Sequence, residues 1–117
     1  MAKEGACNIC RSGWYADYPT YGNFMVDLFG AVSIDGNNLG RYNDPTFEDL
    51  IAKASAETDD VKRGELYNQA EEHLLNTTTA VIPLNWYVGD QVYAEGTVNY
   101  DQPPLGLILW QRVGVKK

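Results

Sequence analysis

The sequence is poor in the residues that build metal and redox centres. It has two cysteines, two methionines and one histidine in 117 residues. A structural zinc site needs four ligands, and Cys7, Cys10 and His73 fall short of that. One histidine and scattered serines also leave no arrangement of nucleophile, base and orienting acid, so the sequence does not read as an enzyme. No run approaches the ~20 apolar residues of a membrane-spanning helix. Basic residues are scarce, 9 against 16 acidic, for a net charge of −7. Without a basic stripe, nucleic acid is excluded as a partner. The start, Met1-Ala2-Lys3-Glu4-Gly5, is too polar for a signal peptide, so no export signal is expected in this chain.

The lone Cys7-Asn8-Ile9-Cys10 is not expected to act as a redox pair. Residues 5–12 read as a short strand, which would turn the two thiols to opposite faces. Two unrelated, buried or half-buried thiols are the expectation.

What remains is an ordinary globular composition, 44% hydrophobic and 21% charged, with eight tyrosines and three tryptophans. The length fits a single domain, 1–117, with one modest core. The most informative segment is Gly13-Trp14-Tyr15-Ala16-Asp17-Tyr18-Pro19. Trp14 and Tyr15 offer flat apolar faces with polar tips, which suit a ligand wall. Asp17 among them needs a cation or donors opposite it, and a ligand ammonium group would serve. The same cluster also fits plain packing, and Asp17-Tyr18-Pro19 also fits a simple turn.

Further along, Phe24, Met25, Leu28 and Phe29 share a helical face within 22–29, with Asn23 as a candidate cap. Residues 30–40 read as a loop. It is not a calcium loop, because Leu39 stands at a ligand position and Thr46 where a glutamate belongs. Asp44-Pro45 opens a helix whose Phe47, Leu50, Ile51 and Ala54 lie on one side. Thr58 is the expected cap of a second helix, held by Leu66, Ala70 and Leu74 with Tyr67 beside them. His73 on that helix reads as a packing or solvent-edge residue. Residues 80–88 alternate, with Ala80, Ile82, Leu84, Trp86 and Val88 on one face and Val81, Pro83, Asn85 and Tyr87 on the other. That period predicts a strand, with Pro83 at an edge or bulge and Gly89-Asp90 as a hairpin turn. Leu105 to Val115 is a candidate further strand. The expected fold is α+β: two to three helices packed on a small mixed sheet. The paired acids, Asp59-Asp60, Glu71-Glu72 and Asp44 with Glu48, fall on helix starts or solvated faces.

The order of these pieces resembles a known family. Trp14-Tyr15-Ala16-Asp17-Tyr18-Pro19, Tyr42-Asn43-Asp44-Pro45-Thr46-Phe47-Glu48-Asp49-Leu50-Ile51, Arg63-Gly64-Glu65-Leu66-Tyr67-Asn68-Gln69-Ala70-Glu71 and Val81-Ile82-Pro83-Leu84 are similar to motifs of the peptide-binding proteins of ABC importers, solute-binding protein family 5. The resemblance runs from about Cys10 to the end. It implies that the chain is the C-terminal part of one lobe of a two-lobe, periplasmic-binding-protein-like fold.

The resemblance also implies a site. Asp17 matches the acid that salt-bridges a peptide's α-amino group. Trp14 and Tyr15 match residues lining the first side-chain pocket. Tyr87, with Asn85 on the same strand face, matches a further ligand contact. The implied function is oligopeptide binding for import, with this chain forming one wall of the cleft between lobes. The implied partners are a peptide and the ABC permease subunits, in the periplasm or on a cell-surface lipoprotein. No cofactor and no metal are expected. The rival readings are a family member binding a nickel complex, haem or an oligosaccharide, and a structural interaction domain with no ligand of its own.

Overall fold

Two helices are fixed by local chemistry. Asp44 adopts an extended backbone and its side chain accepts from the Thr46 and Phe47 amides, while Pro45 takes the first helical position. The helix Pro45–Ala56 follows, here α2, and it buries Phe47, Ile51 and Ala54. The next, α3, spans Asp60–Glu72. Its cap is Asp59, which accepts from the Val61 and Lys62 amides, rather than the expected Thr58. The carboxylate one residue on takes both free amides on its Oδ1, at 3.0 and 3.1 Å, while the Thr58 amide is drawn to Glu57 Oε1 at 2.8 Å. Tyr67, Ala70 and Leu74 are buried from this side, so the stripes expected from spacing do meet.

The structure is a computed structural model that describes residues 9–100, 105, 106 and 108–116. It divides into two compact units, Met1–Ile82 and Pro83–Lys117.

In the first unit a short helix, α1, spans Gly22–Phe24 and widens into a π-turn over Met25–Phe29. Asn23 is not its cap. It lies inside the helix with no exposed surface. A 3-10 turn follows at Ala31–Ser33. The core joins Met25, Phe47, Ile51, Ala54, Tyr67, Ala70 and Leu74, with Phe24, Phe29, Tyr42, Leu50 and Leu66 packed on it. Tyr42 meets Phe47 edge-on at 5.2 Å between ring centres.

Hydrogen bonds lock the connections. Buried Asn38 donates to the carbonyls of Phe29, Gly30 and Tyr42 and accepts from the Tyr42 amide. Glu48 of α2 accepts from the Ala31 amide at 2.7 Å. After α3 a π-turn over His73–Thr77 ends at Thr79, whose φ of 50° is left-handed, and the Ala80 amide returns to the Leu74 carbonyl.

The expected strands at 5–12 and 80–88 are not observed. Residues 1–8 lie outside the described residues, and 9–12 carry no strand. Residues 79–94 carry no regular element, and Leu84, Trp86 and Val88 are exposed. A strand is completed only by a neighbour that takes up its amides and carbonyls, and among the described residues no strand is laid beside this segment. Gly89-Asp90 is therefore no hairpin turn.

The second unit instead has one antiparallel pair, Thr97–Val98 (β1) with Gly114–Val115 (β2). Thr97 faces Val115 and Val98 faces Gly114. The turn into β1 uses Gly96 at φ 84°. A 3-10 turn, Trp110–Arg112, precedes β2, so the expected strand at 105–115 is confined to its end. Among the described residues the sheet is thus two-stranded and antiparallel, not mixed.

Cys10 corrects another expectation. It is exposed and disulfide-bonded, not a buried thiol; Cys7 lies outside the described residues. No helix among the described residues is long and apolar enough to cross a membrane.

Candidate ligand-binding site

The aromatic turn owes its shape to one side chain. Asn23, held on α1 with no exposed surface, turns its Oδ1 towards the turn. There it accepts the Trp14 indole Nε1–H at 2.9 Å and the Asp17 backbone N–H at 2.9 Å. Its Nδ2 donates to Asp27 Oδ2 at 2.9 Å. The same oxygen accepts the Tyr18 hydroxyl at 2.5 Å. Asp27 sits one helical turn beyond Asn23, which lets the pair meet. The Asp27 carboxylate beside the phenol, together with partial loss of water, raises the Tyr18 pKa above the ordinary tyrosine value. Tyr18 is therefore a donor throughout the neutral range.

Asp17 is held by its backbone, and its side chain is exposed. Among the described residues its carboxylate enters no ion pair; the pairs found there are Arg41–Asp35, Lys53–Asp49, Arg63–Asp60 and His73–Asp44. Tyr15 is 76% exposed, and Trp14 is half-buried. The structure thus brings Trp14, Tyr15 and Asp17 onto one surface turn. Asn85 and Tyr87 belong to the other unit and are exposed on its irregular segment.

The turn rests on α3. Tyr21 donates to Glu71 Oε2 at 2.9 Å and stacks obliquely on Tyr67, ring centres 5.9 Å apart. Burial, then the Glu71 contact, raises the Tyr21 pKa. A Cβ at Gly22 would lie 3.0 Å from the Tyr67 hydroxyl, so a glycine is what lets α1 approach α3 there.

Sequence reasoning missed Asn23 and Asp27. An asparagine beside a helix start reads as a cap, and nothing local announces an indole nine residues away. The spacing Asn23-x-x-x-Asp27 was the available signal, since it places an amide and a carboxylate on one helical face. His73 was also under-read. Its Nε2 lies 2.8 Å from Asp44 Oδ1, joining the end of α3 to the cap of α2. The Phe47 amide foremost, then His73 and the Thr46 amide, hold the Asp44 carboxyl below its usual range against the opposing effect of burial.

The acids therefore have structural duties. Asp44 and Asp59 cap helices, Glu48 anchors a turn, Asp60 pairs with Arg63, and Glu71 receives Tyr21. No cluster of three or more metal-binding side chains occurs among the described residues.

The chain is 35% identical over 85 residues to the periplasmic oligopeptide-binding protein OppA of Salmonella typhimurium, covering 73% of this chain and 15% of the relative. Haem-binding protein A of Haemophilus influenzae is 30% identical over 114 residues, 97% of this chain and 21% of that protein. The solved structure of HbpA2 from Haemophilus parasuis superposes with a TM-score of 0.74 at 27% identity, over 99% of this chain and 23% of the other.

This chain is homologous to a segment of the family 5 solute-binding proteins. No family profile matches it. It spans only 15% to 21% of the length of these two relatives. Those homologues are binding proteins rather than enzymes, and OppA is periplasmic.

Proposed function

We propose that this chain is a single-domain piece of the C-terminal lobe of an oligopeptide-binding protein, and that it supplies one wall of the cleft in which the peptide lies. The protein serves an ABC importer, delivers peptide to its permease subunits and works outside the cytoplasm, in the periplasm or as a surface lipoprotein. Asp17 holds the peptide α-amino group. Trp14 and Tyr15 line the first side-chain pocket, with Asn85 and Tyr87 as further contacts.

One observation carries this reading: an exposed carboxylate, unpaired with any described cation, on a turn whose backbone is pinned from beneath. A peptide amino group titrates near 7.7 to 8.0 and is mostly ammonium at neutral pH. A carboxylate binds it by a charge-assisted hydrogen bond. Removing one partner from such a desolvated pair costs roughly 2–5 kcal/mol.

The test uses a chimaera in which this chain replaces the homologous segment of the Salmonella oligopeptide-binding protein. Asp17→Ala is expected to weaken binding of free-amine peptides at least tenfold and of N-acetylated peptides far less. Equal affinity of the unsubstituted chimaera for acetylated and free-amine peptides overturns the assignment. The chain alone, with half a cleft open to water, is expected to bind di- to pentapeptides more weakly than about millimolar in calorimetry.

A haem-binding role is the second reading. The Haemophilus influenzae relative, matched over 97% of this chain, favours it. A visible-absorption titration of the chimaera with haem separates the two ligands.

A further inference from the structure

We infer that Asn23 is the positioning residue of this site. It fixes where the Asp17 carboxylate stands, although it touches no ligand itself. The inference rests on the ligand-binding reading above.

Three features carry it. The first is how the side chain is used. A carboxamide offers two lone pairs on its oxygen and two hydrogens on its nitrogen. Asn23 uses the oxygen twice, on Trp14 and on the Asp17 amide, and the nitrogen on Asp27. The second is burial. With no exposed surface, the side chain cannot exchange these partners for water, so each bond is directional and costly to lose. The third is the choice of partners. Both atoms held by Oδ1 belong to residues of the candidate site, one by side chain and one by backbone.

Asp27 completes the device. Its Oδ2 fixes which way the carboxamide is turned and ties down Tyr18 on the far side of Asp17. The segment Trp14–Tyr18 is therefore held at three points, and the Asp17 side chain projects from the middle one. A carboxylate on a loose turn would lose orientation entropy each time it met an ammonium; here that ordering precedes the ligand.

Two substitutions and a swap test this. In the full chain, hydrogen exchange by NMR reads the Trp14 indole proton and the Asp17 amide. Asn23→Ala is expected to raise both exchange rates at least tenfold while the α2 and α3 amides stay protected. In the chimaera the same substitution is expected to lower free-amine peptide affinity at least tenfold and N-acetylated peptide affinity less than twofold.

Asn23→Asp alone sets two carboxylates against each other and is expected to loosen the turn. Combined with Asp27→Asn, it exchanges acceptor for donor and is expected to restore both readouts to within about threefold. This rescue guards against a variant that fails merely by unfolding. Unchanged exchange in Asn23→Ala, equal loss of both peptide types, or no rescue by the swap overturns the inference. If Asp17→Ala leaves peptide binding unchanged, the ligand reading fails and takes this inference with it. Altered exchange without altered affinity is the signature of that case.

Discussion

The two units of this chain carry similarly clear sequence patterns and use them very differently. The first, up to Ile82, turns its apolar stripes inward, caps its helices and satisfies its buried side-chain polar atoms. The second begins with an alternating segment as regular as any helix stripe, yet Leu84, Trp86, Val88 and Val92 are at least 75% exposed. A helix closes its hydrogen bonds within itself, whereas a strand borrows a neighbour for every other one. The contrast teaches that α-helical pattern is self-fulfilling in a short chain, and β pattern is a promise that another segment must keep.

Substitutions can break or sharpen that contrast. The largest effect is expected at Phe47, which has no exposed surface. Phe47→Ala should cost about 3–5 kcal/mol, enough to abolish the cooperative urea transition followed by helical circular dichroism. Next comes Gly30, where a Cβ would sit 2.7 Å from the Val26 carbonyl oxygen. Gly30→Ala should cost about 1–3 kcal/mol in the same titration.

Smaller effects separate caps from open positions. Asp59→Ala removes the α3 cap and should cost about 1 kcal/mol. Gly64 lies within α3 with nothing within 4 Å of an added Cβ, so Gly64→Ala should instead gain about 0.5–1 kcal/mol. The acid limb is a gentler probe. The Asp44 carboxyl is lowered in the folded chain, so its stabilisation is complete above the unfolded value of about 3.9 and fades as pH falls through the folded one. Thermal melts should therefore lose stability below about pH 4, and Asp44→Asn should flatten that part of the slope. At the bottom of the scale, Trp86→Ala, at a side chain 87% exposed, should move the melting curve by less than about 0.5 kcal/mol.

Much of the helical unit was legible. Asp44-Pro45 announced α2, and Phe47, Ile51 and Ala54 announced its buried face, because both signals act over one or two turns. The second cap was misplaced by one residue, since Thr58 and Asp59 are both capping types and only the backbone decides between them. Asn23 was misread because its partners are a ring nine residues back and an amide six back. Strand 80–88 was misread because periodicity states which residues would share a face, not whether a pairing edge exists. At the candidate site, residue types led to Trp14, Tyr15 and Asp17, but the buried amide beneath them left only the Asn23-x-x-x-Asp27 spacing, which does not say which residues of the turn it holds.

In the proposed pocket, the bond from the Trp14 indole to Asn23 also limits what that ring can say to a visitor. Its single polar proton is already committed beneath the surface, so the side it offers outward is all carbon. Such a face grades its guests by flatness and width, and it is deaf to whether they carry an oxygen or a nitrogen at that point.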